Sequence, residues 1–153
     1  MTLITGAKSA LKGFTLIELL VVLTVIILLS SLGYFGLSGF REGHVLSASR
    51  DEAMFVFENA RSQAVTNGRQ RTVQFDSAAS PPTFLIQDET GTATTDTIKL
   101  ESGVTIAGPA QVVFQGTGSI QDGATKTYTF TGQRSGKVLT LIIYPKTGRV
   151  EKT

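Results

Sequence analysis

The stretch FTLIELLVVLTVIILLSSL, residues 14–32, follows the leader-like segment MTLITGAKSALKG, residues 1–13. Glu18 is its only ionisable side chain, and Leu19 to Phe40 is 22 residues without a charge. As a helix, that uncharged run is about 33 Å long at 1.5 Å per residue. The length matches a hydrocarbon core of roughly 30 Å. Lys8 and Lys12 lie ahead of it, with no acid between the first residue and Gly13. The run explains why only 17% of the 153 residues are charged while 41% are hydrophobic. Fourteen Lys and Arg against 12 Asp and Glu give a formal charge of +2, and there is no Cys and no Trp. Without a thiol, a disulfide scaffold, a Cys-built zinc module and a Cys nucleophile are excluded. The apolar content argues against a disordered tail protein, and +2 is small for a strongly basic nucleic-acid protein.

Three readings of this N-terminus compete. A secretory signal peptide has a short apolar core and a small-x-small cleavage site, whereas this run is longer and holds an early Glu. A plain transmembrane anchor with its positive end inside accounts for length and orientation. It gives Glu18 no role, and a carboxylate deep in a bilayer costs about 2.5–3.5 kcal/mol. Cleavage between Gly13 and Phe14 supplies the role. A new amine then appears four residues before Glu18, and the carboxylate neutralises the amine of its own chain or of the next subunit. Gly13 leaves room for a peptidase at the membrane face, and Lys8 and Lys12 hold the leader on the cytoplasmic side.

Lys12-Gly13-Phe14-Thr15-Leu16-Ile17-Glu18-Leu19 resembles the class III signal of type IV pilins and pseudopilins. The resemblance implies that a prepilin peptidase cuts after Gly13 and N-methylates Phe14, and that Glu18 is the assembly residue. It further implies a single-pass protein of the bacterial inner membrane, N-terminus cytoplasmic and head periplasmic, whose partners are lipid and then other major and minor pilins or pseudopilins. One departure is visible. Major pilins often carry a Pro about twenty residues into the mature helix, where this chain reads Gly33-Tyr34-Phe35-Gly36 and has no Pro before Pro81. Gly33, Gly36, Gly39 and Gly43 either loosen the helix, at about 1 kcal/mol each against Ala, or allow close helix packing.

From Arg41 the pattern becomes amphipathic. Leu46, Ala53, Phe57, Ala60 and Ala64 follow the spacing of one helical face, and Asn67-Gly68 is a helix stop. After Arg71 the period changes to two. Residues 72–75, 84–87, 97–100, 112–115, 127–131 and 138–144 read as strands, with 138–144 nearly all apolar and therefore central. Ser80-Pro81-Pro82, Gly91, Gly108-Pro109, Gly116-Thr117-Gly118, Asp122-Gly123, Ser135-Gly136 and Thr147-Gly148 mark the turns. The expected fold class is α+β: a long N-terminal helix packed on a C-terminal antiparallel β head. The expected divisions are a leader (1–13), a transmembrane or filament-core helix (14–40), an amphipathic helix (41–68) and the β head (69–153). Phe75, Phe84, Phe114, Phe130, Leu141 and Ile143 fill the head with help from Phe57 and Ala60.

The head carries a second resemblance. Ala60-Arg61-Ser62-Gln63-Ala64-Val65 followed by Thr72-Val73, then Val113-Phe114-Gln115-Gly116-Thr117-Gly118 and Thr147-Gly148-Arg149-Val150, are similar to the minor pseudopilins of the GspH/FimT type. That resemblance implies a minor pseudopilin of type II secretion or a minor pilin of type IV pili, a filament-tip or initiation role and no catalysis.

Other constellations carry little. His44 is the only His, so no histidine-rich metal site and no cofactor is implied, and no nucleophile elbow accompanies any Ser. Gly116-Thr117-Gly118 lacks the Lys and the strand-to-helix context of a phosphate loop and reads as a hairpin turn. Asp88-Glu89-Thr90-Gly91 and Asp122-Gly123 offer oxygens of the kind calcium takes, but neither has EF-hand spacing. The charge distribution says more. Residues 72–120 hold five acids against Lys99, net −4, and residues 121–153 hold six bases against Asp122 and Glu151, net +4. Complementary docking between subunits is one use of that split. DNA binding through Lys146, Arg149 and Lys152 is the other. Some FimT-type minor pilins take up DNA through a second Arg two residues after the Gly-Arg pair, but here that position is Glu151. No aromatic runs with these cations to stack bases.

Overall fold

The computed structural model describes residues 14–153, and within the helix the side chains of residues 32–40 lie outside the description. Among the described residues the chain forms one helix and eight strands. Helix α1 spans Leu16–Asn67, 52 residues. Thr15 starts it: its Oγ1 accepts the Glu18 backbone N–H at 3.3 Å, and its carbonyl accepts the same N–H at 3.1 Å. Thr15 and Glu18 thus have the spacing of a capping box. Asn67-Gly68 ends it as expected. Gly68 takes φ +61°, its N–H donates to the Val65 carbonyl at 3.3 Å, and the Arg69 N–H donates to the Ala64 carbonyl at 3.1 Å. These are the two bonds of a Schellman closure. Helical backbone runs through Gly33, Gly36, Gly39 and Gly43 without a break. A Cβ at Gly43 would meet open space, so close packing does not explain that glycine.

The chain divides into two compact units, Met1–Leu37 and Ser38–Thr153. In the first, Phe14, Leu16 and Ile17 are 80%, 84% and 71% exposed, and the large apolar side chains from Leu19 to Leu29 are about half exposed. The hydroxyls inside this run are satisfied by the helix itself. Thr24 Oγ1 donates to the Leu20 carbonyl at 2.8 Å, Ser30 Oγ to Ile26 at 2.8 Å and Ser31 Oγ to Leu28 at 2.7 Å. Such back-bonding leaves the hydroxyls no need of water. Among the described residues, no helix is long and apolar enough to cross a membrane. The expected membrane segment, 14–40, continues into residues 32–40, whose side chains are outside the description.

The second unit holds β1 (Arg71–Asp76), β2 (Thr83–Gln87), β3 (Ile98–Lys99), β4 (Val104–Ala107), β5 (Gln111–Phe114), β6 (Lys126–Gly132), β7 (Val138–Ile143) and β8 (Val150–Lys152). They form two four-stranded sheets, β3-β2-β1-β5 and β4-β6-β7-β8, with every pair antiparallel. The central place expected for residues 138–144 is found: β7 lies between β6 and β8. The reading differs at three places. The strand expected at 97–100 shrinks to β3, while β4 and β8 were not foreseen. β4 has the alternation Val104-Thr105-Ile106-Ala107, with Val104 and Ile106 buried, but is only four residues long. β8 has three residues and exists because the 144–149 turn returns the chain onto β7, with the Gly148 N–H donating to the Tyr144 carbonyl at 2.8 Å and the Tyr144 N–H to Arg149 at 2.9 Å.

The core lies between the second half of α1 and both sheets. Leu46, Ala53, Phe57, Ala60 and Ala64 are fully buried, as the helical spacing predicted, and Val56 joins them. Phe57 from α1 meets Phe84 at 5.4 Å and Tyr128 at 4.9 Å between ring centroids, and Phe75 stacks on Phe84 at 4.8 Å. The rings therefore tie the helix to one strand of each sheet with the offset and edge contacts that aromatic pairs prefer. Tyr128 is fully buried, and its hydroxyl donates to the Pro109 carbonyl at 2.7 Å. Burial pushes the Tyr128 hydroxyl pKa well above its ordinary value. Gly108 makes the close approach possible, since a Cβ there would sit 2.2 Å from the Tyr128 ring.

Candidate assembly site

Of the three processing and assembly residues, Gly13 lies outside the described residues. Phe14 is exposed, and Glu18 sits in the first turn of α1. A carboxylate there also faces the positive end of the helix dipole. Capping by Thr15 is a second role for this turn that the apolar pattern hid, although the Thr-x-x-Glu spacing is its signal.

The head-side half of α1 is fastened by residues that the sequence reading did not single out. Glu42 accepts the Arg134 N–H on Oε1 at 2.7 Å and the Ser135 N–H on Oε2 at 2.9 Å. Those two donors belong to the turn between β6 and β7, ninety residues away in the chain. The Arg134 backbone bond, with the Ser135 bonds and the Arg134 charge, holds the Glu42 carboxyl below the ordinary 4.5. Gly132 leaves space for the contact, as a Cβ there would lie 3.1 Å from the Glu42 carboxylate.

The three motifs of the head meet at the other end of α1. Gly116 passes against the helix stop, where a Cβ would lie 2.6 Å from the Gly68 carbonyl carbon. Gly148, at φ +61°, faces the Gly118 carbonyl so closely that a Cβ would fall 2.0 Å from that oxygen. The stem of Arg61 runs beside both Gly118 and Gly148. Gly116-Thr117-Gly118 is the turn that was expected: the Gly118 N–H donates to the Gln115 carbonyl at 2.8 Å, and the Gln115 N–H to Ser119 at 2.9 Å. From its far side the Ile120 N–H donates to the Pro145 carbonyl at 2.8 Å. The glycines of the two loops are thus packing devices that dock both sheets on the helix end.

The C-terminal cations are mostly engaged. Arg149 pairs with Glu151, and Lys152 Nζ lies 2.9 Å from Asp51 Oδ1 on α1. Lys146 is exposed and, among the described residues, in no ion pair. An aromatic does accompany them, contrary to the sequence expectation: the Arg149 guanidinium sits 5.5 Å from the Tyr144 ring centroid. The hydrogen bond to Glu151 raises the Tyr144 hydroxyl pKa. Tyr144, Arg149 and Glu151 thus satisfy one another. In the two turns considered for calcium, the carboxylates are spent locally. Asp88 Oδ1 accepts the Thr90 hydroxyl at 2.6 Å and the N–H groups of Thr90 and Thr92 at 2.9 Å each, and Asp122 pairs with Lys126. Among the described residues no group of three His, Cys, Asp or Glu is placed to hold a metal.

Residues 9–34 match the prokaryotic N-terminal methylation motif. In fold, the chain is similar to the type IV minor pilin FimU of Pseudomonas aeruginosa, at a TM-score of 0.63 and 17% identity, covering 74% of this chain and 92% of that one. A second crystal form of FimU gives a TM-score of 0.59 at 16% identity, over 70% and 91% of the two chains. The minor pseudopilin EpsH from the type 2 secretion system of Vibrio cholerae is similar at 0.55 and 13%, over 70% of this chain and 94% of that one. The chain has the type IV pilin-like fold. No curated protein matches it by sequence. The motif in front of a pilin-like head implies processing by a prepilin peptidase and assembly with other pilins or pseudopilins.

Proposed function

We propose that the chain is a minor pseudopilin of a type II secretion system, a structural subunit with no catalytic role. Gly13 and Phe14 form the cleavage and N-methylation site, and Glu18 pairs with a mature N-terminal amine during assembly. The observation that carries this reading is the methylation motif over residues 9–34 leading into a helix that ends against a two-sheet head. The uncharged run, read through Phe40, is long enough to hold the subunit in the inner membrane with its head in the periplasm. The likeness to EpsH supports the secretion assignment.

A second reading, a minor pilin of a type IV pilus, draws on the greater overlap with FimU. DNA uptake is the weaker part of it, because Arg149 and Lys152 are held by Glu151 and Asp51, and of the three C-terminal candidates only Lys146 is left, among the described residues, without an ion pair to offer a phosphate. Deleting the gene separates the two readings. Lost export with normal pili supports the pseudopilin, and lost pili with normal export supports the pilin. Intact mass after coexpression with prepilin peptidase tests the reading common to both: the wild type loses residues 1–13 and gains a methyl group, and a bulky residue at Gly13 leaves the precursor whole. An unchanged wild-type mass contradicts it.

A further inference from the structure

The Glu42 latch collects charge as well as joining the helix to a hairpin. Arg41 precedes Glu42 on α1, and Arg134 and Lys137 lie on the β6–β7 turn that Glu42 holds by two backbone bonds. The turn is braced from within, since the Lys137 N–H donates to Ser135 Oγ at 3.2 Å and the Gly132 N–H to the Lys137 carbonyl at 2.9 Å. All three cations are exposed. Among the described residues none of the three forms an ion pair, although Arg50, Arg69, Lys126, Arg149 and Lys152 all do. Glu42 itself offers its two oxygens to backbone N–H groups, and its charge also acts on Arg134. The next acid along α1 is Asp51, about 13 Å further at 1.5 Å per residue. Beside Lys137 is Val138, an apolar residue left 53% exposed at the start of β7.

Arg41 is also the first charged residue after the uncharged run that ends at Phe40. A run of that length uses up the hydrocarbon thickness, so the residue that follows it emerges among headgroups. We propose that Arg41, Arg134 and Lys137 form a basic collar that rests on anionic phospholipid headgroups while the subunit waits in the membrane, with Val138 dipping into the interface. This rests on the membrane-anchored reading of residues 14–40 made above. The collar is electrostatic, so salt weakens it, and each cation removed lowers the docked-to-free ratio about fivefold.

The test uses the full-length chain reconstituted into vesicles of phosphatidylcholine alone or mixed with phosphatidylglycerol. A Val138→Cys substitution gives the only thiol in the chain, because the sequence has no other Cys, and carries an environment-sensitive fluorophore. The expected result is a blue-shifted emission in the phosphatidylglycerol vesicles, reversed by salt, absent in phosphatidylcholine and reduced about fivefold in docked-to-free ratio by Arg134→Gln, with a further reduction on adding Lys137→Gln. Both substitutions keep the backbone donors of the latch. Flotation is measured in parallel. A chain that floats with both vesicles but shows the same emission in each, or the same emission after the substitutions, overturns the collar and leaves the anchor standing. A chain that floats with neither overturns the anchor, and the collar with it.

Discussion

Glu42 shows how one carboxylate joins distant parts of the chain, and its energetics follow from its two donors. The Arg134 and Ser135 N–H groups favour the ionised form, so its pKa in the folded head lies below the ordinary 4.5. The folded state therefore gains from ionisation. That contribution is whole above the ordinary value and is lost as pH falls through the depressed one. Glu42→Gln is expected to lower the melting temperature at neutral pH and to flatten its decline in acid, which thermal melts across the pH range will read. An unchanged acid limb would remove the role assigned to Glu42. Gly148 is the second decisive residue. Its positive φ and the Gly118 oxygen in the path of any Cβ leave Ala no unstrained place, and Gly148→Ala should cost about 2 kcal/mol or more in urea unfolding. The sequence marked Thr147-Gly148 as a turn, but the contact with Gly118 was invisible in it. Nothing local announces that two loops some thirty residues apart will share one surface. Glu42 was hidden for the same reason, since its donors are backbone groups and carry no residue signature.

At the scale of elements, α1 was legible because two independent signals agree. An uncharged run and then a single buried face fix its course, and Asn67-Gly68 fixes its end. Gly68→Ala should destabilise the head by about 1 kcal/mol, because the Schellman closure needs a positive φ there. The longer strands were legible from alternation, and Thr127-Tyr128-Thr129-Phe130-Thr131 shows its buried Tyr128 and Phe130 where the period places them. The short ones were not. β4 has the alternation, but four residues between Gly103 and Gly108 resemble a loop, and β8 owes its pairing to the turn that precedes it. Division into two sheets was also beyond the pattern, which gives strand faces but not strand neighbours. Tyr128 was counted as a strand residue and proves to be a centre of the aromatic core, bound through its hydroxyl to Pro109. Tyr128→Phe keeps the ring and strands the carbonyl, so a loss of about 1 kcal/mol is expected, measured by the same unfolding experiment.

For the whole molecule, the two sheets divide the charge much as they divide the strands. The net −4 of residues 72–120 lies mainly with β3-β2-β1-β5, and the net +4 of residues 121–153 with β6, β7 and β8. Removing the leader takes Lys8 and Lys12 and leaves 12 bases against 12 acids from Phe14 onward. A subunit matured as proposed would carry no net side-chain charge to repel its copies, and the opposed parts of its head would then serve to select and orient neighbours. In the proposed assembly, the cleaved end supplies the other half. The apolar helix exposes large side chains around its described part, and Glu18 is the one charge in that surface, so under the proposed function an amine partner would set the register in which helices bundle. The most direct measurement is recovery of the chain in sheared filaments, comparing wild type with Glu18→Ala in cells that express the peptidase and the partner subunits. Both are expected to be cleaved and membrane-bound, with wild type entering the filament fraction and Glu18→Ala staying in the membrane. Equal recovery of the two in filaments, or absence of the wild type from them, would contradict it.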